Sequence, residues 1–464
     1  MARITIDRND SRSIQTQLTG HLKRMIQSGE LQAGERLPST REFARDLLVS
    51  RNTVVAAYEM LVGEGYLDSE LRSAFRVNQA TQAFQTVPLR GQSVSLREAD
   101  PSTPAMPVPF RPTQPDVKLF PLAIWNRHRN RVLKEGNCLL QYQSRFSIGL
   151  DELRQNVAEY LRDSRGVRCN WEEVAITNGS QQALFLLAHL LLSKEHSVYM
   201  EDPGYPGARN AWLNAGATIV PAKIDGEGIQ LPRDEAMHAS LIYVTPSHQF
   251  PTGTCMSLAR RLALLKTARE ANAWIVEDDY DAEFRYTSAP QPSLQSLDEQ
   301  RRVIYIGSFS KTMFPGLRIG FVVLPPTLVK SFTSLKSIAD DYSPLIDQAT
   351  LAAFLESGSY YAHLRRCRKH YAERQSIFLD LVAKRRLPLR FPVVGRGMNL
   401  AGMLPEGMND REVSRKLHAV GLDVPPLSRY AIGPVAPGLL FGLAGFEKHA
   451  IQRGVAKMAR VFGK

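Results

Sequence analysis

The stretch "IYIGSFSKTMFPGLRIGFVVL", residues 304–324, decides the fold. Two apolar, β-branched runs flank Lys311, which stands among small hydroxyl residues, and Arg318 follows seven positions later. Continuous apolar runs of this length are typical of strands that are covered on both faces, as in α/β sheets. The pattern therefore predicts a buried strand that ends in a polar, cationic loop.

The same apolar pattern recurs along the chain, with helical patterns between most of the runs. This alternation predicts an α/β domain built around a largely parallel sheet. From about residue 340 the pattern changes to long helices and then short strands, which predicts a second, smaller lobe. The candidate strands are 173–177, 197–201, 218–224, 241–245, 274–278, 302–307 and 318–324.

Polar sequences follow five of these strands. In open α/β sheets ligands bind at the carboxyl ends of the strands, so five polar loops at such ends predict one large site. The loops are "TNGSQQ" (177–182), "EDPGYPG" (201–207), "TPSHQFPTG" (245–253), "EDDYDAEF" (277–284) and "GSFSK" (307–311).

Residues 1–79 predict a separate small domain. An amphipathic helix at 13–28 precedes two short helices, 40–47 and 51–63, that are joined by a tight turn, which indicates a helix-turn-helix. The segment 65–77 has two apolar, strand-like ends and suits a winged hairpin.

A change of composition separates this domain from the rest of the chain. Residues 80–116 are rich in Pro, Ser, Thr and Gln without sustained periodicity, which predicts a linker. The body then spans 117–464, with a large lobe at about 117–338 and a small lobe at about 339–464.

Bulk properties narrow the class of protein. With 44% apolar residues the chain can bury a sizeable core, but no apolar run is long enough for a membrane helix, and the first ten residues lack a signal-peptide core. The four cysteines show no metal-site or disulfide spacing, so the reducing cytoplasm is the expected compartment. The net charge of +12 does not by itself indicate DNA binding, because residues 1–79 carry 11 Lys and Arg against 10 Asp and Glu.

The motifs together resemble a known family. A glycine-rich helix start followed by "DPGY", "PTG", "DDY", "SFSK" and "RIG" resembles the fold-type I, pyridoxal phosphate (PLP)-dependent aminotransferases. Residues 34–67, "GERLPSTREFARDLLVSRNTVVAAYEMLVGEGYL", resemble the winged helix-turn-helix of GntR-type regulators. The combination resembles the MocR/GabR-type subfamily of bacterial GntR regulators over nearly the whole chain. It implies a multidomain protein: an N-terminal winged helix-turn-helix and an α/β aminotransferase-like body with a smaller C-terminal lobe.

The resemblance implies roles for residues of the cofactor site. Lys311 would form a Schiff base with PLP, Asp278 would face the ring nitrogen, and Tyr280 would bond the phenolic oxygen. Asp279 is the neighbouring alternative to Asp278. The phosphate would be held by amides at a helix N-terminus and by hydroxyl and cationic groups, from Ser180, Gln181, Ser308, Ser310 and Arg318. Tyr205 would stack on the ring. Tyr142 would reach the phosphate bound by the partner subunit.

Two further positions bear on ligand and activity. Arg429 matches the family arginine that binds a substrate carboxylate, which makes it the expected effector contact. Phe250 stands where aminotransferases usually carry asparagine before Pro-Thr-Gly, so one contact to the cofactor oxygen is lost. The chain is therefore not expected to be a full enzyme, although residual transaminase activity stays open. His248 is expected to be structural.

The DNA contacts are expected on the two short helices. Helix 51–63 would enter the major groove with Arg51, Asn52 and Thr53 nearest the bases, since arginine reads guanine and asparagine reads adenine. The wing segment departs from the family pattern, since its tip lacks the expected glycines. Residues expected at phosphates are Arg36, Ser39, Thr40 and Arg41.

Three functions are compatible with these features. The first is a regulator that senses a small amino-compound effector through an external aldimine. The resemblance implies that it binds a double-stranded DNA operator as a head-to-tail homodimer. The second is an active PLP-dependent aminotransferase with an appended DNA-binding domain. The third is a regulator that senses PLP itself and controls vitamin B6 supply.

Overall fold

The structure is a computed structural model that describes residues 4, 6–8, 10–70, 74–84, 108–136, 147–230, 238–287 and 291–463. The chain divides into two compact units, Met1–Thr103 and Pro104–Lys464. No described helix has the length and hydrophobicity needed to cross a membrane.

The described part of the smaller unit contains three α-helices and a two-stranded antiparallel hairpin, which confirms the predicted helix-turn-helix and wing. Each helix starts at a serine whose hydroxyl accepts an amide hydrogen bond from the first turn: Ser13, Ser39 and Ser50. Apolar side chains from all three helices share one core, which includes Leu18, Leu22, Val54, Tyr58 and Leu61. The elements are α1 Ile14–Ser28, α2 Thr40–Asp46, α3 Arg51–Gly63, β1 Leu67–Glu70 and β2 Ala74–Val77.

The larger unit is built on an eight-stranded sheet, with strand order β3-β10-β9-β8-β7-β4-β5-β6. The five central neighbours β9, β8, β7, β4 and β5 run parallel to one another, which confirms the predicted α/β body. The strands are β3 Val174–Thr177, β4 Ser197–Asp202, β5 Thr218–Asp225, β6 Gly228–Ile229, β7 Leu241–Val244, β8 Trp274–Asp279, β9 Val303–Ser308 and β10 Gly320–Val323.

Helices flank this sheet, and a second, two-stranded sheet belongs to the predicted small lobe. The lobe has its own apolar core, in which Phe378, Leu417, Phe441 and Ile451 are fully buried. Its strands are β11 Asn399–Met403 and β12 Gly438–Gly442. The helices of the larger unit are α4 Leu122–Glu135, α5 Asp151–Arg165, α6 Ser180–Leu191, α7 Pro206–Asn214, α8 Leu258–Glu270, α9 Pro326–Asp340, α10 Leu345–Glu356, α11 Ser359–Lys384, α12 Asp410–Ala419 and α13 Lys448–Val461.

Strand β10 runs antiparallel to both of its neighbours, β3 and β9. Its first residue, Gly320, therefore pairs with Ser308 and Thr177, the last residues of those two strands. Residues just before β10 lie at the edge where the parallel strands end. This antiparallel strand brings Arg318 to the same edge as the loop that carries Lys311.

The end of the predicted linker is built into the larger unit. Phe110 is fully buried, with its ring centroid 5.6 Å from that of Phe378, and Asp116 forms a 2.6 Å ion pair with Arg374. The sequence placed residues 108–116 in a linker because their composition is proline-rich. Their partners lie more than 250 positions away along the chain, so no local pattern could reveal the contact.

Candidate cofactor site and nucleic-acid interface

A cavity of about 150 Å³ lies at the carboxyl edge of the large sheet. It joins the starts of α6 and α7 to the ends of β7, β8 and β9. Five of its lining residues are among those predicted for the site: Ser180, Tyr205, Asp278, Tyr280 and Lys311. The loops that the sequence expected to converge therefore meet in one place.

Asp278 lines this cavity and is left incompletely paired. Its Oδ2 accepts a 2.7 Å hydrogen bond from the hydroxyl of Tyr243, while its Oδ1 is buried without a hydrogen-bond partner among the described residues. Burial raises the pKa of Asp278 to about 6. A buried oxygen that lacks a donor fits the protonated ring nitrogen expected at this position.

Asp279 is engaged elsewhere. It forms a buried 2.7 Å ion pair with Arg165 and accepts a 2.7 Å hydrogen bond from the hydroxyl of Tyr305. Successive side chains of a strand point to opposite faces, so one aspartate of the pair faces the cavity and the other faces away from it. The cavity is thus lined by Asp278, the carboxylate that the family register favours, whereas Asp279 pairs with Arg165 and Tyr305.

Lys311 is partly buried, and this burial lowers its pKa. Its Nζ donates a 3.3 Å hydrogen bond to the backbone oxygen of Thr113, and the amide of Thr113 is itself held by Asn399 Oδ1 at 2.7 Å. An amine with a lowered pKa is more readily available as a nucleophile near neutral pH. The segment that the sequence assigned to a linker therefore supplies one wall of the site.

The predicted phosphate residues come from two loops that meet at Gly179. Arg318 Nη2 donates a 2.9 Å hydrogen bond to the oxygen of Asn178. A Cβ at Gly179, where φ is +82°, would lie 3.0 Å from the same Nη2. Ser180 then starts α6 and presents its amide at a helix N-terminus, a common site for anions. Glycine at 179 leaves the guanidinium room beside that amide.

The remaining predicted phosphate residues differ in their surroundings. Ser310 Oγ is buried without a hydrogen-bond partner among the described residues, whereas Ser308 Oγ accepts the amide of Ser310 at 3.2 Å. Gln181 Oε1 accepts a 3.3 Å hydrogen bond from the hydroxyl of Tyr205. Tyr142 lies outside the described residues, so its predicted role stays a prediction.

Aromatic rings fill the side of the cavity where an aminotransferase would carry asparagine. Phe250 is buried, and its ring meets those of Tyr205, Tyr280 and Tyr430 edge-on, with centroids 5.9, 5.9 and 5.0 Å away. Arg429 is exposed, and it is not among the described residues that line the cavity, although it adjoins Tyr430. Phe250 offers this wall no hydrogen-bond donor.

Sequence reasoning missed three lining residues: Thr113, Tyr243 and Thr245. Tyr243 gave one weak signal, since a tyrosine within a buried apolar strand needs a partner for its hydroxyl. Thr245 donates a 2.6 Å hydrogen bond to Glu201, a buried carboxyl whose pKa burial raises to about 7. Thr113 gave no local signal, because its contacts are long-range.

The smaller unit presents a polar surface at the start of α3. The side chains of Arg51 and Asn52 are exposed there and Thr53 is half-buried, with its amide bonded to Ser50 Oγ at 3.1 Å. Thr40 is buried, so the expected phosphate contact through its backbone amide stays a prediction. The other expected phosphate residues are exposed: Arg36, Ser39 and Arg41.

The wing is described only in part. Its strands are paired from Leu67 with Val77 to Glu70 with Ala74, and residues 71–73 at the tip lie outside the described residues. Arg76 donates a 3.1 Å hydrogen bond to the oxygen of Gly34. This bond ties the second wing strand to the segment that precedes α2.

Comparison with known proteins gives a family model for each unit and relatives that match nearly the whole chain. The family model of aminotransferases of class I and II matches residues 124–422, and that of bacterial regulatory proteins of the gntR family matches residues 14–77. The probable rhizopine catabolism regulatory protein MocR of Rhizobium meliloti is 38% identical, over 99% of this chain and 96% of its own. The pyridoxine biosynthesis transcriptional regulator PdxR of Corynebacterium glutamicum is 30% identical, over 98% of this chain and 97% of its own.

Solved structures resemble the larger unit. An archaeal alanine:glyoxylate aminotransferase has a TM-score of 0.72 and 26% identity, covering 77% of this chain and 90% of its own. The α-aminoadipate aminotransferase LysN of Thermus thermophilus, complexed with N-(5′-phosphopyridoxyl)-L-leucine, has a TM-score of 0.70 and 30% identity. The match covers 77% of this chain and 92% of the LysN chain.

Proposed function

This chain belongs to the MocR-type subfamily of GntR regulators, DNA-binding transcription factors with an aminotransferase-like domain, and on that premise we propose that its larger unit binds pyridoxal phosphate on Lys311 and senses an amino compound. The observation that carries the proposal is one cavity that is lined by both Lys311 and Asp278, whose buried Oδ1 has no hydrogen-bond partner among the described residues. These are the two groups that the opposite ends of a pyridine aldehyde need.

When bound, pyridoxal phosphate would supply an electrophilic aldehyde carbon that reacts with primary amines. Lys311 would present an amine with a lowered pKa to it. Asp278 would hold the proton of the ring nitrogen through the oxygen that has no partner among the described residues, and Tyr280 would offer a hydroxyl to the phenolic side. The amide at Ser180 and the guanidinium of Arg318 fit the phosphate, with Ser308, Ser310 and Gln181 beside them.

An amine-bearing effector would compete with the Lys311 amine for the cofactor. In this proposal Arg429 would recruit the effector's acid group from the small lobe, and Tyr205 would support the cofactor ring. The effector shifts the conformation of the protein only as far as its affinities for two states differ. Phe250 supplies no hydrogen bond to the phenolic oxygen, which favours binding over complete transaminase turnover.

The DNA-binding function follows from the smaller unit. Arg51, Asn52 and Thr53 read bases of an operator, while Arg36, Ser39 and Arg41 and the amide of Thr40 contact phosphates. A head-to-tail homodimer places two such units on two half-sites, and action on an operator locates the protein in the bacterial cytoplasm. The relative from C. glutamicum, named for pyridoxine biosynthesis, favours a second candidate in which PLP itself is the signal.

The first experiment tests the covalent linkage. Full-length protein is reconstituted with PLP, reduced with borohydride and mapped by peptide mass spectrometry. We expect the label on Lys311, none there in Lys311→Ala, and unchanged labelling in Lys330→Ala, a lysine of α9 that lies outside the cavity. An unlabelled wild-type protein, or a label on another lysine, would refute the proposal.

The second experiment separates the three functions. DNA affinity is measured for the cofactor-free protein, the PLP-loaded protein and the loaded protein with amines. A change that requires an amine supports effector sensing, whereas a change on loading alone supports sensing of PLP. Sustained conversion of an amino donor and a keto acid would identify an aminotransferase instead.

A further inference from the structure

His248 lies buried between the cavity and the small lobe. Its Nδ1 is 2.9 and 3.1 Å from the two carboxylate oxygens of Asp281, and 3.0 Å from the hydroxyl oxygen of Tyr280. His248 and Asp281 are 6% and 1% exposed, so water does not compete for these bonds. One ring nitrogen therefore faces three oxygens at hydrogen-bond distance, two of the carboxylate and one of the tyrosine.

The position of the imidazole proton follows from these partners. A carboxylate only accepts hydrogen bonds, so Nδ1 must carry a hydrogen to bond with Asp281. A protonated Nδ1 has no lone pair left, and the hydroxyl of Tyr280 cannot donate to it. The conclusion is the same for neutral imidazole and imidazolium, because both can carry a hydrogen at Nδ1. The hydroxyl oxygen of Tyr280 can therefore only accept a hydrogen bond from Nδ1, and the hydroxyl proton must point away from His248.

The small lobe holds this arrangement in place. Asp281 Oδ2 also accepts a 3.0 Å hydrogen bond from the amide of Met398, which restricts rotation of the carboxylate. The backbone packs closely on the imidazole: a Cβ at Gly397, where φ is +67°, would lie 1.9 Å from His248 Cε1, and one at Gly253 would lie 3.1 Å from Nε2. The ring therefore cannot tilt away from Tyr280 without moving the backbone.

We infer that His248 and Asp281 are positioning residues that orient the hydroxyl of Tyr280 as a hydrogen-bond donor into the cavity. The inference deepens the proposed function, since it assigns the acceptor there to an anionic oxygen of the ligand, such as a phenolate. Burial and the nearby carboxylates of Asp281 and Asp278 raise the pKa of Tyr280 well above its usual range, so the hydroxyl keeps the proton that it donates. Tyr280 itself lines the cavity, whereas His248 and Asp281 act through it.

The substitution Asp281→Asn tests this orientation with little change in shape. The asparagine oxygen is needed by the amide of Met398, so its NH₂ faces His248. Nδ1 must then become an acceptor, and the imidazole proton moves to Nε2. The lone pair of Nδ1 is then shared between the asparagine NH₂ and the hydroxyl of Tyr280, so the Tyr280 proton is no longer excluded from the His248 side and its donation into the cavity is weakened.

The tautomer is measured in full-length, ¹⁵N-histidine-labelled protein prepared without PLP, with the His248 signal assigned by its loss in His248→Asn. We expect a protonated Nδ1 in wild-type protein, and a bare Nδ1 with a protonated Nε2 in Asp281→Asn. A wild-type His248 with a bare Nδ1 would overturn the inference. Because no cofactor is present, this result is independent of whether Lys311 binds PLP.

PLP affinity supplies the second readout. Losing one hydrogen bond to a charged oxygen predicts a roughly 10- to 100-fold weaker affinity in Asp281→Asn. In a Tyr280→Phe background the same substitution should have no further effect, because the donor is already gone. An equal loss in both backgrounds would indicate a purely structural role and overturn the inference.

A second pair of variants serves if Asp281→Asn does not fold. His248→Asn keeps an N–H close to the position of Nδ1, whereas His248→Leu removes it. We expect the asparagine variant to lose less PLP affinity than the leucine variant. Equal affinities would overturn the positioning role. Failure of wild-type protein to bind PLP at all would refute the proposed function, while the tautomer measurement would still judge the His248–Asp281 pair.

Discussion

Replacing Asp278 with asparagine is expected to stabilise the cofactor-free protein at neutral pH, although it removes the carboxylate that we propose holds the ring nitrogen of the cofactor. In the folded state Asp278 is buried beside Asp279, and its pKa rises from the ordinary 3.8 to about 6. The folded chain therefore binds this proton more tightly than the unfolded chain does. The stability from the protonated carboxyl is fully present below pH 3.8 and is lost as the pH rises through 6.

The size of the effect follows from the shift. The difference between about 6 and 3.8 is about two pKa units, and each unit corresponds to about 1.4 kcal/mol, so ionisation costs the folded state roughly 3 kcal/mol above pH 6. Asparagine is neutral and can still accept the hydrogen bond of Tyr243. The variant's gain in unfolding free energy over wild type should grow between about pH 4 and 6 and then level off. Glu201 and Glu277, with pKa values of about 7, titrate in both proteins, so their contributions to the stability difference between variant and wild type largely cancel.

The assay is urea unfolding followed by tryptophan fluorescence at several pH values between about 4 and 7. The four tryptophans all lie in the larger unit, so the signal reports that unit: Trp125, Trp171, Trp212 and Trp274. Asp279→Asn is the matched control, since it leaves Arg165 buried without its counter-charge. We expect that variant to be destabilised by roughly 3–5 kcal/mol.

The refuting result is specific. If the stability difference between Asp278→Asn and wild type does not change from about pH 4 to pH 7, the carboxyl does not titrate in the range that its burial requires. If the variant is less stable than wild type at neutral pH, the cost of burying this charge has been overestimated.

Three further predictions concern the phosphate side of the site and the smaller, DNA-binding unit. Gly179→Ala forces a side chain into a left-handed backbone conformation beside Arg318 and should weaken PLP affinity about tenfold in an absorbance titration. Arg51→Ala and Asn52→Ala should each weaken binding to an operator fragment obtained by selection roughly 5- to 150-fold in fluorescence anisotropy, with helix content unchanged by circular dichroism, because both side chains are exposed. Leu22→Ala leaves a cavity in the core of the smaller unit and should cost roughly 2–5 kcal/mol there, so DNA binding is lost on mild warming while tryptophan fluorescence is unchanged.

Much of the site could be predicted because its determinants are local. A strand ends where its apolar run ends, and in a parallel sheet those ends meet at one edge, which is why the loops carrying Asp278 and Lys311 were expected together. The pair Asp278 and Asp279 marks the limit of this reasoning. Strand periodicity shows that the two carboxylates face opposite sides, but only the packing of Arg165 and Tyr305 shows which side is the cavity.

Residues that depend on distant contacts could not be predicted in the same way. Thr113 lies in a proline-rich stretch that reads as a linker, yet its oxygen accepts the Lys311 amine, 198 positions away. The proton arrangement at His248 likewise depends on Asp281 and on the amide of Met398, which three separate segments bring together.

The amino-acid sequence by itself determined the order of helices and strands, the helix caps and the set of polar loops, because apolar periodicity and capping act between residues that are near neighbours in the chain. The tertiary structure decided the direction of β10 and hence the place of Arg318, the wall formed by residues 108–116, and the donor direction of Tyr280. Those features arise from pairings between residues far apart in the chain. Such contacts stabilise the protein only after the chain has folded and brought the residues together, so no local pattern in the sequence reveals them.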